Sequence, residues 1–175
     1  MRLLEELAAR LPADCIQTDP DVLVAYAQDR AVFEQGGTAA VLVMPRDTAE
    51  VVAAVQAAKA AGAPIVTRGA GTGLTGAANA IDGCVLLSLH RMDQILEIDT
   101  TNRTVRVQPG IINSELKKAV AAHGLFYPPD PASFEMSSIG GNVATNAGGL
   151  CCVKYGVTRD YVVALEVVLA SGATT

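Results

Sequence analysis

The chain has 175 residues, 50% of them hydrophobic, with a formal net charge of −5 and a pI near 4.9. That length holds one domain or two small subdomains around a buried core. The acidic balance and the lack of a basic run exclude a phosphate-backbone nucleic-acid binder, and 4% aromatic residues without Trp exclude a base-stacking platform. With 18% charged residues the chain is not an acidic disordered tail.

Residues 3–11 place Leu3, Leu4, Leu7, Ala8 and Leu11 on one helical stripe. Glu5 and Glu6 interrupt any signal-peptide core, so no export signal is expected. Asp19-Pro20 reads as an N-cap followed by proline at the first helical position. The apolar run 39–44 lies between Gly36-Gly37 and Pro45 and predicts a buried strand. Asp47 and Glu50 resemble a capping box opening a helix with Val51, Val52, Val55 and Ala58 at helical period, stopped by Gly62 and Pro64. This most apolar helical stretch carries Glu50, Gln56 and Lys59, too polar and too short to span a bilayer. Strands are expected at 65–67 and 84–89, and a hairpin at 94–99 and 103–108 turning on Thr100-Thr101-Asn102. Asn113 is expected to cap a further helix with Leu116, Ala119, Val120 and His123 on one face, with Lys117-Lys118 as its solvated side. The Pro-, Ser-, Gly- and Asn-rich stretch 127–150 has the character of a functional loop. Residues 162–170 predict a continuous buried strand. Its missing neighbour suggests an incomplete domain whose open edge favours dimers or aggregates.

Cys15, Cys84, Cys151 and Cys152 show no zinc spacing, and an adjacent pair rarely bridges, so free thiols in a reducing, cytoplasmic compartment are expected. His90 and His123 read as ordinary packing or surface residues, and Asp29-Arg30 as a turn or capping pair.

Residues 68–76 read RGAGTGLTG. Gly71, Gly73 and Gly76 match the dinucleotide pattern G-x-G-x-x-G, but no helix long enough for a Rossmann crossover follows before the strand at Cys84. A Walker loop is excluded because no Gly-Lys-Ser/Thr occurs. What remains is a glycine loop between strands, a nest whose N–H groups suit a pyrophosphate with Arg68 balancing charge. Downstream, Tyr127-Pro128-Pro129-Asp130-Pro131 is stiff. SSIGGNVATNAGG at 137–149 offers amides and hydroxyls on a sterically empty surface suited to a flat ring system.

RGAGTGLTG at 68–76, PPDP at 128–131, SIGGNVATNAGG at 138–149 and KYG at 154–156 together resemble the FAD-binding domain of FAD-linked oxidases, the vanillyl-alcohol-oxidase and p-cresol-methylhydroxylase type. Within it the glycolate oxidase flavoprotein subunit and the D-lactate dehydrogenases lie nearest. The resemblance runs from about Tyr26 to the end of the chain. It implies an α/β (α+β) fold of two small subdomains, the second incomplete, with N-terminal helices at 1–37, a first subdomain at 38–108 and the second from 109 to 175. It places Gly69, Ala70, Gly71, Thr72, Gly73 and Leu74 on the FAD pyrophosphate. Pro129, Asp130, Ser138, Gly140, Gly141 and Asn142 border the flavin, and Asn146, Ala147, Gly148, Gly149, Tyr155 and Gly156 close the pocket. Some relatives attach flavin through a histidine at the fifth loop position, which is Thr72 here, so non-covalent FAD is expected.

The implied activity is oxidation of a D-2-hydroxy acid of the glycolate or D-lactate type to the 2-oxo acid. A base takes the hydroxyl proton and hydride passes to flavin N5. Electrons then leave to an iron–sulfur or other acceptor subunit, with location in the cytoplasm or at the inner membrane through that partner. The resemblance puts catalytic residues and any metal ligands in a substrate domain beyond this chain. Alternatives are the D-2-hydroxyglutarate dehydrogenase or alkyl-dihydroxyacetone-phosphate synthase chemistry on the same fold, a non-catalytic nucleotide-binding module, and, least favoured, an NAD-dependent Rossmann protein.

Overall fold

The computed structural model describes residues 2–175. The chain packs as two compact units, one ending at Arg91 and taking in Leu165–Thr175, the other spanning Met92–Ala164. The division falls before the 95–107 hairpin, where the sequence reading had set a boundary at 108.

The first unit begins with α1 (Arg2–Ala8), whose Leu7 is fully buried while Leu4 faces outward. β1 (Ile16–Gln17) leads into α2 (Pro20–Tyr26). Asp19 caps α2 by accepting from the Asp21 amide, and Pro20 occupies a position where no N–H is needed. β2 (Val41–Val43) is followed by α3 (Thr48–Ala61), β3 (Ile65–Arg68) and β4 (Val85–Ser88). Asp47 caps α3 through the Glu50 amide, and Gly62 ends it in the left-handed conformation at φ +70°. The Glu50 carboxylate does not return to Asp47 as a capping box requires. It accepts from the Arg46 amide at 2.7 Å and pairs with the Arg46 guanidinium at 2.7 Å.

These strands form one sheet in the order β1-β2-β4-β3, with β1–β2 antiparallel and β2–β4 and β3–β4 parallel. Val41, Leu42, Val43, Val85 and Leu86 are buried on both faces, the pattern of a covered parallel sheet. Leu42 and Leu86 pack with Ala39, Ala80 and Cys84 beneath Leu23 and Tyr26. Each such leucine contributes about 1.5–3 kcal/mol of burial. The parallel crossover from β3 to β4 contains no helix; the glycine loop itself makes the return.

The second unit is built on the hairpin β5 (Ile95–Asp99) and β6 (Thr104–Val107), with a register shift between Ile95 and Glu97. Arg103 takes φ +56° to close its turn, and Asp99 accepts from the amides of Thr101 and Asn102. α4 (Asn113–Ala121) and α5 (Ile139–Ala144) cover it, burying Ile111, Leu116, Val120 and Ile139 with Ile95, Val105 and Val107. α6 (Cys152–Tyr155) and a 3₁₀ turn at Thr158–Tyr161 follow.

Three sequence expectations are corrected here. Residues 162–170 are not a buried strand. Val163, Leu165, Val167 and Leu169 are exposed, and the only pairing is a small bridge of Val168 with Thr174. No second strand among the described residues lies beside this segment, so its apolar sequence has no sheet to join. Asn113 does not cap α4. Ile112 holds the cap position and the Asn113 side chain is fully buried. The stretch 127–150 is not wholly irregular, because Ser138 caps α5 by accepting from the Gly141 amide. All four cysteines are free. Among the described residues no helix is long and apolar enough to cross a membrane.

Candidate functional site

The glycine loop leaves β3 at Arg68 and reaches β4 at Val85. The protein holds it chiefly through its carbonyls. The Arg30 amide donates to Gly73 O at 2.9 Å, Asn79 N to Gly76 O at 3.0 Å and Leu89 N to Arg68 O at 3.0 Å. Asn79 is itself fixed, accepting from Asp29 N at 2.7 Å and donating to Glu34 O at 3.1 Å. Among the described residues, the amides of residues 69–78 donate no hydrogen bond. Carbonyls bound and amides free is the polarity an anion needs from a nest.

Arg68 supplies the charge. Its side chain is buried, its guanidinium lies 5.7 Å from the centre of the Tyr26 ring, and its Nη1 has no hydrogen-bond partner. Burial pushes its pKa down, against the pull of Asp29 and Tyr26. A buried guanidinium without a hydrogen-bonded anion is costly, and a bound anion relieves that cost. Gly71, at φ +68°, sits directly on this guanidinium, and a Cβ there would collide with it. Gly73 is less crowded, since a Cβ would meet only Asp29 Oδ2, at a tight 3.3 Å. Asp29 is more than the expected turn pair. Its Oδ1 accepts from Ala31 N at 2.8 Å, while its Oδ2 is buried without a partner. Thr72 is half-buried, and Ala70 and Leu74 are exposed on the loop.

The second unit carries the other expected residues, and it uses many of them differently. Pro129 is buried, and its carbonyl accepts from Asn113 Nδ2 at 3.3 Å. Asp130 Oδ1 accepts from Cys151 N at 3.0 Å, which holds its carboxyl below the usual range, and the hydrogen bond of the Cys151 thiol to the same carboxylate raises the thiol. Ser138 is spent on the α5 cap. A Cβ on Gly140 would lie 2.6 Å from Pro109 Cβ, and one on Gly149 would overlap the Asp130 carbonyl. Gly141 is tight only against Ser138, and Gly148 against Val157. Asn146, at φ +49°, accepts from Arg159 N at 3.0 Å, and Ala147 O accepts from Thr158 Oγ1 at 2.7 Å. Tyr155 packs edge-on against Phe126, and Gly156 turns at φ +89°. Asn142, almost fully buried, accepts from Asn113 Nδ2 at 2.9 Å.

Lys117 is not the solvated side chain its sequence position suggested. Its Nζ donates to Tyr127 O at 2.6 Å and Pro128 O at 3.3 Å, it stacks near the Phe126 and Tyr127 rings, and burial pulls its pKa down. Lys118 is the exposed one, paired to Glu115. His90 bonds Ser88 Oγ and packs on Tyr26, and His123 is exposed. Tyr26 and Asn79 were not singled out in the sequence reading, and Asp29, Asn113 and Lys117 were given other roles there; all five hold these segments in place. Each acts through a partner far away in sequence, and no local pattern announces it.

An amide-rich loop beside a buried guanidinium whose Nη1 lacks a hydrogen-bond partner fits a dinucleotide pyrophosphate, which marks a nucleotide-cofactor domain on a mixed α/β fold. The FAD binding domain family matches residues 39–175, and the chain belongs to that family. The chain is 50% identical to the glycolate oxidase subunit GlcD of Bacillus subtilis over 131 residues, covering 75% of this chain and 28% of that protein. It is 38% identical to D-2-hydroxyglutarate dehydrogenase of Stutzerimonas stutzeri over 97% of this chain and 36% of that protein. Among solved structures, p-cresol methylhydroxylase with substrate bound superposes at a TM-score of 0.84, with 23% identity, over 99% of this chain and 34% of that one. That likeness establishes the p-cresol-methylhydroxylase type of fold. The chain thus spans between a quarter and two-fifths of the length of the relatives it matches.

Proposed function

We propose that this chain is the non-covalent FAD-holding part of an enzyme that oxidises a D-2-hydroxy acid, of the glycolate or D-lactate type, to the 2-oxo acid. The observation that carries the cofactor assignment is the loop at 69–78, with unbonded amides beside the buried Arg68 guanidinium, whose Nη1 has no hydrogen-bond partner. Gly69, Ala70, Gly71, Thr72, Gly73 and Leu74 donate amides to the pyrophosphate. Each hydrogen bond to a charged oxygen contributes about 1.5–3 kcal/mol, so a few suffice without lysine. Arg68 stays protonated and offsets the charge. Pro129, Asp130, Ser138, Gly140, Gly141 and Asn142 border the flavin, and Asn146, Ala147, Gly148, Gly149, Tyr155 and Gly156 enclose it. Bound FAD supplies a two-electron acceptor. The groups that take the hydroxyl proton and hold the substrate carboxylate are assigned to residues outside this chain, as is the contact with an electron-accepting subunit. Identity to a glycolate oxidase subunit supports the substrate class. Thr72 offers no ring nitrogen for a flavin bond.

The test is the visible spectrum of the purified protein before and after denaturation and filtration, followed by FAD titration of the colourless protein. A flavin spectrum whose pigment passes the filter, or saturable uptake of FAD, is expected. Pigment retained on the protein would refute non-covalent binding, and no uptake would refute the cradle.

A further inference from the structure

The buried polar cluster of the second unit has a direction built into it. Asn113 is fully buried at the start of α4. Its Nδ2 donates both to Pro129 O, at 3.3 Å, and to Asn142 Oδ1, at 2.9 Å. A backbone carbonyl can only accept, so Pro129 fixes which end of the Asn113 amide is the nitrogen. That nitrogen's second hydrogen then reaches Asn142, and the atom Asn142 turns toward it must be its oxygen. The remaining end of the Asn142 side chain is therefore Nδ2, a donor, which makes no hydrogen bond among the described residues. The arrangement leaves Asn113 Oδ1 and Ser137 Oγ buried without partners. A leucine would fill the same space with no unpaired oxygen. What asparagine adds is the pair of donors.

We infer that Asn113 is a positioning residue that turns Asn142 to present a hydrogen-bond donor to an acceptor of the flavin ring, a ring nitrogen or carbonyl oxygen. This rests on the reading above that Asn142 borders the flavin. The polarity runs from the Pro129 carbonyl through Asn113 to Asn142, tying the start of α4, the proline segment and α5 into one relay. A flat heteroaromatic ring with acceptors along its edge matches a donor presented this way.

The test is FAD affinity of the purified protein, read from quenching of flavin fluorescence, for Asn142→Ala, Asn113→Leu and the double variant, with circular dichroism as the folding check. Asn142→Ala is expected to weaken FAD about fivefold to tenfold, the loss of one hydrogen bond. Asn113→Leu should lose a similar factor, and the double variant no more than Asn142→Ala alone. Losses that multiply would show Asn113 acting independently of Asn142 and overturn the relay. Unchanged affinity in Asn113→Leu alone would do the same. Unchanged affinity in Asn142→Ala would instead remove Asn142 from the flavin, which fails the underlying placement and the relay with it. Should Asn113→Leu not fold, Asn142→Asp carries the test. Its carboxylate still accepts from Asn113 but presents an oxygen in place of the donor, so it must bind FAD more weakly than Asn142→Ala. Affinity equal to or above wild type in that variant would overturn the proposal.

Discussion

Two glycine-rich segments carry the resemblance to FAD-linked oxidases, and what crowds their glycines differs between them. In the loop after β3 the amides are unbonded, and a Cβ on Gly73 would press on Asp29 Oδ2 at 3.3 Å. In the segment around α5, Gly140 lies against Pro109 and Gly149 against the Asp130 backbone. At Gly71, Gly73 and Gly76 the atoms a Cβ would meet belong to the side chains of Arg68, Asp29, Glu34 and Asn79, whereas at Gly140 and Gly149 backbone atoms of Pro109 and Asp130 stand in the way. Glycine content alone does not distinguish the two; the partner of the missing Cβ does.

The comparison can be broken most directly by substitution to alanine. Gly149→Ala should cost about 3 kcal/mol of stability, because its Cβ overlaps a backbone carbonyl that has nowhere to go. Gly73→Ala should cost less than about 1 kcal/mol. Urea unfolding of the two variants checks this, and equal midpoints would erase the distinction. Gly73→Asp then separates folding from binding. It places a carboxylate beside the pyrophosphate and near Asp29, so FAD affinity should fall by about a hundredfold or more while the folded far-ultraviolet spectrum remains. Retained affinity would remove the loop from the site.

Arg68→Met sharpens the same contrast with a smaller effect. It removes a buried cation whose Nη1 is unpartnered, so the cofactor-free protein should keep its stability within about 1 kcal/mol. FAD affinity should nonetheless drop about tenfold to a hundredfold, the loss of a charge-assisted contact. A purely structural arginine would show the reverse, a large stability loss with unchanged affinity. Calorimetry of both forms decides between them.

Much of the first unit was legible because its signals are local. Asp19-Pro20, Asp47 and Gly62 announce helix ends through bonds made within a few residues, and Gly71 and Gly73 mark the loop by spacing. What could not be read depends on who stands opposite. Residues 162–170 have the composition of a buried strand, yet burial needs adjoining strands, and here the side chains of Val163 and Leu165 are exposed. Asn113 followed the rule for a cap, but its buried side chain answers to Pro129 and Asn142, which are remote in sequence. Lys117 matched a solvated helix face until Tyr127 and Pro128 brought their carbonyls to it. The framework that holds these segments was thus hidden in hydrogen bonds between residues remote in sequence.

The smallest effect lies away from both glycine segments and isolates the stability of the first unit from its loop. Glu50 holds the Arg46 guanidinium and amide, and this pairing lowers its pKa from the usual 4.5 to about 2. A carboxylate depressed in the folded state stabilises fully above its unfolded pKa. That contribution is lost as the pH falls from about 4.5 toward 2, because the unfolded chain then binds the proton first. Arg46 is 42% exposed, so solvent screening keeps the pair weak. Glu50→Gln should therefore lower the urea midpoint modestly at pH 6 and leave it close to wild type near pH 2, with the pH slope between them reduced. FAD affinity at neutral pH should not move, since the groups bonded to the Glu50 carboxylate, Arg46 and Cys15, lie outside residues 68–78. A loss of affinity in Glu50→Gln would mean that the sheet transmits strain from the α3 cap to the loop. The separation of scaffold from cradle drawn within the first unit would then fail.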